Sequence, residues 1–105
     1  MRGAAWYRAK AGRRDTTHAS VRDGLEKLGH IVADLGGAAG GVPDLAVRHP
    51  RWNSGVWRWL EVKTARGGLT PAQRELHARW LAKGVRVLVV KSLDEALSAV
   101  SAEAA

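Results

Sequence analysis

Asp44, Glu61 and Lys63 are the residues of this chain whose types and spacing could do chemistry. Glu61 and Lys63 sit two apart in "VWRWLEVKT", a run with the composition of a buried strand. Side chains alternate along a strand, so Trp57, Trp59, Glu61 and Lys63 share one face while Leu60 and Val62 take the other. The strand therefore starts apolar and turns polar only at its end, where sites in mixed sheets are commonly built. Asp44 follows Pro43 at the start of "PDLAVRH", a second strand joined to the first by the turn-forming "PRWNSG". In an antiparallel hairpin the start of one strand lies beside the end of the next, which brings Asp44 to Glu61 and Lys63. Two carboxylates about 4 Å apart repel by about 4 kcal/mol at an effective dielectric near 20. A divalent cation relieves that repulsion better than one lysine can. Oxygen ligands without cysteine select hard ions, so the pair implies Mg²⁺ or Mn²⁺, with the Val62 carbonyl as a further ligand. Such a centre polarises a phosphodiester and acidifies a bound water, and Lys63 would orient that water or neutralise developing charge. The alternative is an ordinary cross-strand ion pair on a wet sheet face.

The elements that must position these residues are readable in order. "DTTHASVRDGLEKLG" predicts a helix with Val21, Leu25 and Leu28 on its inner stripe, capped by Asp15, Thr16 or Thr17 and ended by Gly29. "HIVADL" predicts the first strand, and the glycines of "GGAAGGV" suit close approach of a backbone or a phosphate. "LTPAQRELHARWLAKG" carries the clearest helix signal: Thr70 as cap, Pro71 at the first position, Gln73 closing a capping box, Gly84 as stop. Ala72, Leu76 and Trp80 form its expected buried stripe. The apolar run "VRVLVVK" predicts a strand covered on both faces. A last helix opens on Ser92 and Glu95 and buries Leu93, Ala96, Leu97 and Val100. The fold class is thus α/β (α+β): one domain of order αβββαβα, with a mixed central sheet flanked by helices. A basic arm, residues 1–14, precedes a compact domain over 15–105.

Composition narrows the function. The 105 residues support one modest core, and the 46% hydrophobic content is that of a globular chain. No apolar run is long enough to span a membrane, and no apolar stretch follows the basic N-terminus as a signal peptide requires. The absence of cysteine excludes disulfides and thiolate metal sites and fits a cytoplasmic setting. Seventeen Lys+Arg against ten Asp+Glu give a net charge of +7. Arg8, Lys10, Arg13 and Arg14 crowd the first fourteen residues beside Trp6 and Tyr7, a composition suited to a phosphate backbone and stacked bases. A solvated terminus that aids solubility is the other reading. Trp52 in the turn and Trp6 are the stacking candidates, and Trp57, Trp59 and Trp80 read as core.

Pro43-Asp44, a sixteen-residue gap, and Glu61-Val62-Lys63 resemble the P-D-x(n)-E-x-K signature of the PD-(D/E)XK nuclease superfamily. "GGVPDLAV", "WLEVKT", "LTPAQRELHARW" and "VRVLVVKSLDEAL" are similar to small phage and bacterial nucleases of the VRR-NUC and Holliday-junction-resolvase-like branch, over roughly residues 13–100. The resemblance implies a restriction-endonuclease-like core and a magnesium-dependent deoxyribonuclease. It makes Asp44 and Glu61 metal ligands and Lys63 the catalytic lysine, with DNA, branched or duplex, as partner and a homodimer as assembly. Many relatives carry a further acid in the first helix; the aligned position here holds Ser20, with Asp15 and His18 as nearby substitutes. Asp15 also reads as a cap and His18 as a core-edge histidine. Gln73 faces the site in relatives, and reads equally as the capping partner of Thr70. His77 reads as structural, and Arg66, beside Gly67 and Gly68, as a phosphate contact or a solvated loop residue. The missing acid also opens a second reading, a nucleic-acid-binding module of the same fold with impaired catalysis.

Overall fold

The computed structural model describes residues 16–36 and 38–104. In chain order these form α1 (Thr16–Lys27), β1 (Ile31–Asp34), β2 (Leu45–Arg48), β3 (Arg58–Val62), α2 (Pro71–Ala82), β4 (Val87–Val90) and α3 (Leu93–Ala104). The strands pair in the order β1-β2-β3-β4; β1, β2 and β3 are antiparallel neighbours and β4 runs parallel to β3. This is the expected α+β domain with a mixed sheet.

Strand alternation sorts the sheet into two faces. Leu45, Val47, Leu60 and Val90 point to one, where Val21 and Leu25 of α1 and Ala96 and Val100 of α3 close the core. Each such side chain contributes on the order of 2 kcal/mol by leaving water. The expected face of α3 is therefore confirmed, with Leu93 and Leu97 packed at its margin. Leu28 departs from expectation: α1 ends at Lys27, so Leu28 falls in the turn and is 54% exposed.

Among the described residues, α2 is the one helix on the opposite face. Thr70 and Gln73 form the expected reciprocal capping box, with Thr70 Oγ1 accepting the Gln73 N–H and Gln73 Oε1 accepting the Thr70 N–H. Leu76 is buried, but Ala72 is exposed, because the first turn of α2 meets the 38–44 loop through its backbone and not its side chains. One helix cannot cover four strands. β4, last in the strand order, leaves Val89 exposed on this face and is not the doubly covered strand its apolar run predicts.

Gly41 fastens the loop that leads to Asp44. Its φ is +82°, and a Cβ there would stand 2.6 Å from the Ala72 carbonyl oxygen of α2. Both the left-handed conformation and the close approach exclude a side chain. Gly41→Ala is expected to lower stability by about 1–3 kcal/mol, or on the order of 10 °C in a thermal melt. An unchanged melting temperature would remove this contact from the account of how Asp44 is placed.

Candidate active site

Pro43 is buried and Asp44 directly precedes β2. Because Leu45 pairs with Leu60, one further step of the same register sets Asp44 opposite Glu61. The turn chemistry and alternation of the hairpin thus suffice to juxtapose two acids far apart in the chain. Asp44 Oδ2 accepts the Val62 N–H at 2.8 Å, which fixes its carboxylate against the end of β3.

Glu61 is 1% exposed, the one charged residue type in the buried set among the described residues. Gln73 Nε2 donates to its Oε2 at 3.0 Å, and Lys63 Nζ lies 3.8 Å from the same oxygen. Its other oxygen, Oε1, is buried without a hydrogen-bond donor and stands 3.7 Å from His77 Nε2, which is likewise buried without a partner. Burial, then the hydrogen bond and charge of Asp44, push the Glu61 carboxyl up to about 8, against the opposing pull of Lys63. Burial and the charge of Lys63 push the His77 imidazole down. At neutral pH the metal-free pair therefore holds a proton where two carboxylates meet.

Lys63 follows β3 directly, anchored by its own N–H to the Val90 carbonyl at 2.9 Å. In front of it lies a cleft of about 210 Å³, lined by Thr17, His18, Asp44, Val62, Lys63, Thr64, Gly67 and Gly68. His18 enters this cleft from the first turns of α1. Its Nε2 lies 3.1 Å from each carboxylate oxygen of Asp34, which also accepts from Arg22 Nη1 and the Gly36 N–H at 2.9 Å. Burial works against ionisation of Asp34, but His18, the Gly36 amide and Arg22 outweigh it and hold the carboxyl well below its usual range.

The structure thus brings together Asp44, Glu61, Val62, Lys63, Gln73 and His18. Gln73 fills both of its expected roles at once, since its oxygen serves the cap and its nitrogen serves Glu61. Ser20, in the position of the missing acid, is exposed and lies outside the cleft lining. Arg66 is exposed in its loop, and its neighbours Gly67 and Gly68 line the cleft in its stead. Asp15, Arg8, Lys10, Arg13, Arg14 and Trp6 lie outside the described residues.

Three residues stand differently from their sequence reading. His77 reaches the acid pair; its spacing of four from Gln73 was the available signal. Trp52 is no free stacking platform, because it packs against the core beside His30 and His49, with the Arg58 guanidinium 5.3 Å over its ring. Trp57, read as core, is 37% exposed. Trp59 and Trp80 do pack together, edge to face, with centroids 5.3 Å apart. Asp34 was not singled out at all. Only the placement of α1 beside the end of β1 gives it a role.

The donor set fits a hard divalent cation. Asp44 and Glu61 supply two adjacent carboxylates, and Glu61 Oε1 has no donor to satisfy it. No group of three or more His, Cys, Asp or Glu able to hold a metal occurs among the described residues. Two carboxylates suffice for Mg²⁺, which keeps several waters and takes further oxygens from substrate phosphate.

A sheet that sets Pro-Asp beside Glu-x-Lys, with a capped glutamine helix over the glutamate, is the arrangement of the PD-(D/E)XK nuclease superfamily. Within that superfamily the chain belongs to the VRR-NUC domain family, whose model matches residues 1–94. A solved structure described as a VRR-NUC domain superimposes with a TM-score of 0.63 at 28% identity, over 84% of this chain and 94% of that one. No curated protein matches the chain. No helix among the described residues is long and apolar enough to cross a membrane.

Proposed function

We propose that this chain is a Mg²⁺- or Mn²⁺-dependent deoxyribonuclease, a structure-selective endonuclease that hydrolyses phosphodiester bonds. The observation that carries this reading is the buried Glu61 carboxyl set against Asp44, with Lys63 3.8 Å away. Burying an acid costs several kcal/mol unless it is protonated, paired or bound to a cation, and beside a second carboxylate a cation meets that need.

Asp44 and Glu61, with the Val62 carbonyl, would hold the ion, which when bound supplies Lewis acidity and an activated water. The Val62 N–H orients Asp44, and Gln73 orients Glu61, so neither carboxylate must be ordered when substrate arrives. Lys63 places a positive charge at the cleft, where it orients the attacking water or offsets charge developing on the phosphoryl oxygens. Gly67 and Gly68 present bare backbone to the sugar-phosphate chain. The net charge of +7, much of it in residues 1–14, supports an anionic polymer as substrate, with Arg8, Lys10, Arg13 and Arg14 as contacts to its phosphates. A homodimer would set two such clefts on one duplex or junction.

A second reading rests on Ser20: with no acid at that position, the fold would bind nucleic acid without cutting it. A cleavage panel of branched, duplex and single-stranded DNA, with and without Mn²⁺, decides between the two. The nuclease reading expects ion-dependent cutting, greatest on one branched or interrupted form. Binding of all forms with no cutting under either ion would leave the second reading standing.

A further inference from the structure

We infer that His77 is a positioning residue of this site: its Nε2–H is a second donor to the Glu61 carboxylate and closes onto Oε1 when a cation is held there. This role rests on the nuclease reading, in which Glu61 holds the ion. Glu61 Oε1 and His77 Nε2 are both buried without a hydrogen-bond partner, and they stand 3.7 Å apart. Buried polar atoms are rarely left unpaired, and a donor and an acceptor orphaned side by side point to one bond not yet made. The optimum for an N–H···O bond is about 2.9 Å, so a shift of about 0.8 Å from 3.7 Å completes it. Hydrogen bonds of a catalytic site are often long before it is loaded and tighten when it fills.

The helix keeps that closure a small movement. Gln73, His77 and Trp80 follow the i, i+4, i+7 spacing of one face of α2. Gln73 already donates to Glu61 Oε2 at 3.0 Å, and the capping box with Thr70 fixes the turn from which it does so. His77 stands at the oxygen that Gln73 leaves open. Leu76, its neighbour, is buried and Trp80 packs on Trp59, which hold α2 against β3. Burial and the charge of Lys63 hold the imidazole below its ordinary range, so it is neutral and one ring nitrogen carries the proton. An acceptor oxygen ahead of Nε2 favours the proton on that nitrogen. A carboxylate oxygen has two lone pairs, so Oε1 can take a cation and this N–H together. Donors that orient a ligating side chain commonly set its affinity for the ion by about 10- to 100-fold.

The test is Mn²⁺ binding by the full chain at one fixed pH, read from the free-ion signal in electron paramagnetic resonance. His77→Phe keeps a flat ring and removes the donor, and is expected to weaken Mn²⁺ binding about tenfold or more. His77→Gln keeps an amide N–H within reach of Oε1 and is expected to stay within about threefold of the unmodified chain. His77→Leu serves as the donor-free variant if the phenylalanine does not fold. A lower metal-free melting temperature for the donor-free variant, with Mn²⁺ affinity unchanged, makes His77 a packing residue and overturns the inference. So does an equal loss of affinity in both variants, since the glutamine retains the donor. Absence of Mn²⁺ binding by the unmodified chain overturns the ion centre and this role with it, whereas binding that is equal across the variants overturns this role alone.

Discussion

Asp44→Asn is expected to reduce ion-dependent cleavage by about 10³-fold or more while leaving the fold in place. The separation is possible because the two duties of this side chain differ in what they require. As a structural group, Asp44 accepts the Val62 N–H and hydrogen-bonds the Glu61 carboxyl, and an asparagine side chain can do both. As a site group it supplies negative charge to a cation, which an amide cannot. Lys63→Ala separates from it in a second respect. Lys63 is anchored by its backbone and touches Glu61 only at 3.8 Å, so its removal spares the carboxylates and should cost about 10²–10³-fold in cleavage. Raising Mn²⁺ should then partly restore a variant that binds the ion weakly but not Lys63→Ala. Single-turnover cleavage of the preferred substrate, with circular dichroism as a fold control, measures both. Cleavage by Asp44→Asn at the unmodified rate would remove the two-carboxylate centre from the mechanism.

Glu61→Gln is expected to act in opposite directions on stability and on ion binding. In the metal-free protein the Glu61 carboxyl is pushed up to about 8, from its ordinary value of 4.5, chiefly by burial and next by Asp44. The folded chain therefore binds this proton more tightly than the unfolded chain. The resulting stability is present in full below about pH 4.5 and is lost as pH rises through about 8. Over that window the loss is on the order of 2–4 kcal/mol. Glutamine has the same shape, keeps a donor for Asp44 and never ionises, so the variant should melt at nearly constant temperature while the unmodified chain declines toward pH 9. Ion binding follows the reverse order. A cation must displace the proton, so Mn²⁺ should raise the melting temperature more at pH 8 than at pH 6. Glu61→Gln should lose that response together with cleavage. A pH-independent melt of the unmodified metal-free chain would contradict the placement of a protonated acid in this core.

Much of the arrangement is legible in the sequence because its causes are local. Thr70-Pro71-x-Gln73 starts α2 by hydrogen bonds that span three residues. Alternation in "WRWLEVK" puts Glu61 on the face of Trp59, and a short turn returns the chain so that Asp44 meets it. Where expectation failed, the cause was a neighbour distant in sequence. Trp52 and Trp57 are the same residue type a few positions apart, yet one is sealed by His30, His49 and Arg58 while the other lacks a covering helix. The "VRVLVVK" run reads as doubly covered because apolarity is a property of the segment, whereas coverage depends on how many helices share a face. Asp34 looks like any acid at a strand end until α1 brings His18 and Arg22 to it.

The sequence by itself determined the elements, the caps, the hairpin and the pair of acids at its end, since propensity, capping and strand alternation act between near neighbours. Only the tertiary structure decided that Glu61 loses its water, that Gln73 and His77 turn toward it, that an Asp34-held histidine lines the cleft where an acid was expected, and that Trp57 stays open. Burial and electrostatic field at a site are sums over segments far apart in the chain. Their values exist only once those segments have packed.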